Sequence, residues 1–168
     1  RKLKGEVQGK ITPHWPISVP NHQPIQPQEH PRLAFRKSQL PALREKAKTP
    51  VGQAILSQLN RRLQQKIYYQ AYVPNGGYHG AGHCFLALLN QDNTSAETGW
   101  QLVENSMKQP EDTLLKQSPI VAGVALAYDM CYDFWTPQRR QRVRGWLQGQ
   151  TYNLIRGDSP KNGWNGEA

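Results

Sequence analysis

Residues 117–133, QSPIVAGVALAYDMCYD, are apolar around the whole helical circumference and carry charge only at Asp129 and Asp133. A helix of that kind cannot lie on a surface and must be enclosed by other elements. Ser118 and Pro119 supply an N-cap and a first-turn proline, so the helix is expected near residues 118–134. The next segment, TPQRRQRVRGWLQGQTYNLIRG, confines its apolar residues to a stripe of Val143, Trp146, Leu147, Thr151 and Leu154. It is expected to form a helix lying over the inner one, near residues 137–156.

The same alternation occurs once before. HGAGHCFLALLN carries no formal charge and reads as an inner helix near residues 79–90. SAETGWQLVENSMKQ is amphipathic through Ala96, Trp100, Val103 and Met107 and reads as an outer helix near residues 95–108, opened by a capping box at Thr94-x-x-Glu97. The inner starts, His79 and Pro119, give a repeat of about 40 residues, a period typical of helical hairpins. Two inner helices cannot bury each other completely. With a mean hydropathy of −0.75 and 37% hydrophobic residues, the chain is therefore read as the N-terminal portion of a larger helical protein.

Upstream, residues 11–31 contain six prolines, which excludes a helix and gives residues 1–32 as an extended arm. His14, Trp15, His22 and His30 fall around it without metal-ligand spacing, and no metal site is expected. Residues 33–168 are assigned to the helical hairpins, all-helical beyond residue 36. Ser38 is placed to cap a short helix with a face of Leu40, Leu43 and Ala47. Thr49 and Pro50 start a longer one with a stripe of Val51, Ile55, Leu59 and Leu63. The turn Pro74-Asn75-Gly76-Gly77 delivers Tyr78 and His79 to the first inner helix.

A net charge of +9, from 21 basic and 12 acidic residues, attracts an anionic partner. Nucleic acid is disfavoured, because its usual helix or sheet signatures are absent and the aromatic residues are not interleaved with basic ones on one surface. No run approaches the ~18 apolar residues of a membrane span. Cys84 and Cys131 sit in the inner helices among apolar neighbours and are expected as buried free thiols, with a disulfide as the lesser alternative. Asp129 and Asp133 stand one turn apart. Paired carboxylates would serve a glycoside hydrolase, but two acids on one helix do not flank a substrate, so they are expected to cap or to pair with Arg139 or Arg140.

HPRLAFRKSQLPALREKAKTPVGQAIL resembles the N-terminal signature of heparinase II/III-like polysaccharide lyases, a His-Pro-Arg-Leu-hydrophobic-Phe run before a Leu-Pro-x-Leu-Arg helix. GGYHGAGHCFLALLNQDNTSAETGWQLVENSM is similar to the first inner and outer pair of their toroid. SPIVAGVALAYDMCYDFWTPQRRQRVRGWL is similar to the next pair, and NGWNGEA to the entrance of a third. The chain departs from the family at Asn90-Gln91-Asp92, where a Gly-Asp pair is usual.

The resemblance implies an all-α, incomplete (α/α) toroid continued by further hairpins and a C-terminal β domain. It implies a secreted or periplasmic parent enzyme that cleaves uronic-acid-containing polysaccharide by β-elimination, with this portion inactive alone. That chemistry must neutralise the carboxylate on C5, remove the adjacent proton and protonate the leaving oxygen, for which amides, Tyr and His are suited. Asn162 and Asn165 are the candidate catalytic residues. Trp164, Tyr78, His79 and His83 are the candidate substrate-binding residues, and no cofactor is specified. The competing readings are a glycoside hydrolase on the same toroid and a non-enzymatic helical scaffold for an anionic partner.

Overall fold

The computed structural model describes residues 24–69, 74–110 and 114–156, which are helical wherever they are regular and contain no strand. A 3₁₀ turn at Lys37–Gln39 leads into α1 (Leu40–Lys48) and α2 (Pro50–Leu63). The two hairpins follow as α3 (Gly76–Asn90), α4 (Asn93–Met107), α5 (Leu114–Cys131) and α6 (Pro137–Arg156). As the sequence predicts, Thr49 caps α2 by accepting from the Gly52 N–H at 3.1 Å, with Pro50 at the first helical position.

Three starts differ from expectation. Ser38 lies within the 3₁₀ turn, and α1 follows Gln39 with no side-chain cap. Asp92, not Thr94, caps α4: its carboxylate accepts from the Thr94 and Ser95 N–H groups at 2.9 and 3.0 Å and from the Ser95 hydroxyl at 2.5 Å. A carboxylate two and three residues ahead of free N–H groups outcompetes a threonine hydroxyl placed two residues too late. Helix α5 begins at Leu114, so Pro119 lies inside it. The preceding turn survives the lost donor because Gln117 and Ile120 are buried against neighbouring helices.

Helices α3 and α5 run parallel and meet through glycine. A Cβ on Gly123 would stand 2.5 Å from the Gly77 carbonyl carbon, a distance no side chain tolerates. Two turns further along, Cys84 and Cys131 form a disulfide with their Cα atoms 5.2 Å apart, both fully buried. The expectation of free thiols is thus corrected. The glycine pair is offset by 46 residues and the cysteine pair by 47, so the close register set at the glycines carries the two sulfurs together.

Helix α4 packs on the same pair, also through small residues. A Cβ on Gly99 would lie 2.7 Å from Cys84 Sγ, and one on Gly80 2.9 Å from Val103. Trp100 and Trp135 meet edge to face at 5.4 Å, and the Trp135 indole donates to the Ala96 carbonyl at 3.2 Å. Val143 brings α6 into this core, with Trp146 and Leu147 partly buried beside it. Arg139 forms a bidentate pair with Glu97 at 2.6 and 2.9 Å, Arg142 pairs with Glu104 at 2.5 Å, and both guanidinium groups lie over Trp100.

The expected stripe on α2 is not buried. Val51 is 71% and Ile55 62% exposed, and with Leu43, Leu56, Phe85 and Leu89 they line an open apolar groove of about 310 Å³. The α1 side is pinned by Arg44, which donates to the Leu88 carbonyl at 2.8 Å.

Candidate functional site

The mouth of α3 is built by its preceding turn. Asn75 accepts the Tyr68 N–H at 2.7 Å through its side chain and donates to the Lys66 carbonyl, which folds the α2 exit over the start of α3. Tyr78 is 44% exposed, whereas His79 is only 8% exposed and His83 half-buried. One residue on a helix is about 100° of rotation, so His79 and His83, one turn apart, share a face that Tyr78 does not. The structure therefore brings the two histidines together and leaves the tyrosine beside them.

Burial holds both imidazoles below the ordinary histidine range. At His79 the nearby Leu63 carbonyl opposes the shift, and at His83 the proximity of His79 adds to it. Both are neutral near pH 7, and His79 Nδ1 is buried with no hydrogen-bond partner among the described residues. Chemically, half-buried His83 is a neutral base with some access to a ligand, while His79 is largely sealed into the packing. Asn162, Trp164 and Asn165 lie outside the described residues, as do His14, Trp15 and His22.

A second constellation fastens the N-terminal strap to α5. Asp129, 2% exposed, accepts from the Arg32 and Leu33 N–H groups, each at 2.8 Å, and bonds His30 Nδ1 at 2.7 Å. The His30 ring stacks on Tyr132 at 3.9 Å and meets Tyr128 edge-on at 5.7 Å. Within the strap, Arg36 pairs with Glu29, holding that carboxyl down at about 2. Lys37 reaches Asp133 at 2.7 Å.

The expectation that Asp129 and Asp133 cap or pair with Arg139 or Arg140 is therefore corrected. Asp129 serves the strap, Asp133 serves Lys37, Arg139 serves Glu97, and Arg140 lies over the Tyr132 ring at 4.6 Å. A buried acid in an otherwise apolar helix needs dedicated donors, and an arm that cannot form its own helix has N–H groups to give. That complementarity was the signal available in the sequence.

Among the described residues no group of three His, Cys, Asp or Glu side chains is placed to hold a metal ion, and no helix is long and apolar enough to cross a membrane. No protein-family model matches the chain, and no curated protein is significantly similar to it.

Proposed function

We propose that this chain is the N-terminal portion of a polysaccharide lyase of the heparinase II/III-like type, acting on uronic-acid-containing glycans by β-elimination. The observation that carries the reading is the strap. The segment HPRLAF, on which the resemblance begins, is the one whose histidine and backbone N–H groups are gathered by Asp129 of an inner helix. The alternation of apolar α3 and α5 with amphipathic α4 and α6 supports an (α/α) toroid completed by further hairpins and a C-terminal β domain. The buried disulfide supports a secreted or periplasmic location, since such bonds persist in oxidising compartments. The charge of +9 supports an acidic polysaccharide as partner.

In this reading Tyr78 and His83 contact the sugar at the mouth of α3. Asn162 and Asn165 donate to the C5 carboxylate, and Trp164 stacks on a ring. A base takes the C5 proton, the C4–O bond breaks as an acid protonates the leaving oxygen, and a C4–C5 double bond is left in the product. A hydrolase would need two acids facing each other across the cleft, and Asp129 and Asp133 are both engaged elsewhere.

The test is absorbance of unsaturated uronate when the full-length protein meets heparan sulfate, chondroitin, alginate or ulvan. Exclusively saturated products would replace lyase with hydrolase. Trp164→Ala and Asn165→Ala should lower that activity with little change in Tm. Normal activity with a large loss of stability would assign the segment to packing instead.

A further inference from the structure

Helix α6 carries its arginines on two sides, and the two sides are treated differently. Arg139 and Arg142 turn toward α4, where Glu97 and Glu104 neutralise them. Arg140 and Arg144 stand one turn apart on another face, which Arg140 shows to be the one toward Tyr132, the residue just past α5. Arg140 lies over Tyr132, and Arg144 is exposed with no carboxylate partner among the described residues. Arg32 joins them, because its backbone N–H is tied to Asp129, the residue after Tyr128. Its side chain is also exposed and has no partner among the described residues.

Asp129 and Asp133, in α5 and just past it, are engaged elsewhere. Asp129 is consumed by His30 and two N–H groups, and Asp133 by Lys37. Burial, with Tyr132 beside it, raises the Tyr128 hydroxyl above its ordinary range. The fields of Arg144, Arg140 and Arg32 pull the other way. It remains a protonated donor near pH 7.

We propose that Arg32, Arg140, Arg144 and the Tyr128 hydroxyl form an accessory site for the sulfate or carboxylate groups of an acidic glycan, at the junction of strap, α5 and α6 and separate from the mouth of α3. Guanidinium forks match such oxyanions in geometry as well as charge. Single-stranded nucleic acid fits less well. The Tyr132 face is occupied by His30 and Arg140 and Tyr128 meets it edge-on, so this cluster offers no stacking platform like those such ligands use. The glycan assignment rests on the function proposed above, whereas the oxyanion geometry does not.

The experiment is calorimetric titration of the full-length protein with heparan sulfate and alginate oligosaccharides, and with a single-stranded oligonucleotide, at constant ionic strength. Arg140→Gln/Arg144→Gln should weaken glycan binding by about tenfold per guanidinium. Arg139→Gln/Arg142→Gln, which removes equal charge from the same helix, should change it less than about threefold. Arg32→Gln/Arg144→Gln, at exposed positions without side-chain partners among the described residues, should reproduce the loss with an unchanged Tm. Equal loss in the two α6 variants, no glycan binding by the wild type, or tighter binding of the oligonucleotide would overturn the proposal. Glycan binding through these arginines by a parent that yields no unsaturated product would overturn the lyase reading and leave the site standing. Unsaturated product with unaltered binding by the variants would do the reverse.

Discussion

Replacing Asp129 with alanine tests the attachment of the strap directly. The carboxylate receives two backbone N–H groups at 2.8 Å and His30 Nδ1 at 2.7 Å while almost wholly buried. Hydrogen bonds to a charged acceptor contribute about 1.5–3 kcal/mol each, and the groups stranded by its removal keep their desolvation cost. The three bonds share one acceptor and are not additive, so the expected loss is about 3–5 kcal/mol, the range for breaking a buried pair from one side. For a chain of this size that is a Tm decrease on the order of 6–20 °C. Urea denaturation gives the free energy, and hydrogen exchange at the Arg32 and Leu33 amides tells whether the strap itself is released. A loss under about 1 kcal/mol with both amides still protected would refute the assignment of Asp129 as the anchor. His30→Ala in a double-mutant cycle with Asp129→Ala isolates the imidazole's share.

Reducing the Cys84–Cys131 bond, or replacing both residues with serine, should cost about 4 kcal/mol from the loop of 47 residues it closes. Denaturation with and without reductant measures it, and rapid alkylation of both residues in the native, unreduced protein would contradict the bond. Gln91 sits at φ 55° at the end of α3, in the left-handed region where a side chain is unfavourable, so Gln91→Gly should raise stability by up to about 1 kcal/mol. Denaturant midpoints decide that one, with a fall in stability counting against it. Because burial lowers the folded-state pKa of His79 and His83 below their ordinary 6.5, the stability they contribute is full above that value and is lost as pH falls through it toward the folded value. The Tm should therefore drop between about pH 7.5 and 5.5 by more in the wild type than in His79→Gln/His83→Gln, and parallel curves would show that these imidazoles are not the cause.

The hairpins were legible because their signals are local. Apolar α3 and α5 and striped α4 and α6 declare themselves through periodicity, and their boundaries fall within a few residues of those read from caps and prolines. Errors arose where the decisive partner is distant in sequence. Apolar neighbours around Cys84 and Cys131 argue equally for two inert thiols and for a bond between them. The choice depends on the helix register, which is set by the Gly77–Gly123 contact. Asp129 was read against the nearest arginines because the strap's N–H groups lie 96 and 97 residues away. The stripe on α2 was correct as a pattern, but a pattern names a face without saying what covers it. At the α3 mouth the sequence placed His79 and His83 together, yet only packing against α2 could tell that one is sealed and the other half open. Between the first two helices of the hairpins, left-handed Gln91 ends α3 and Asp92 caps α4.

The inner pair is tied at two heights, by the glycine contact at Gly77 and Gly123 and by the covalent bond two turns away, about 10 Å along the axis. Two rods joined at two points can neither slide nor swivel against each other. The segment leaving α2 is held over the start of α3 by replaceable hydrogen bonds, through Asn75 to the Tyr68 N–H and the Lys66 carbonyl, so any widening at Tyr78 falls to that wall. Compliance of the mouth is confined to one wall, and the other acts as a fixed jaw for as long as the sulfurs stay joined.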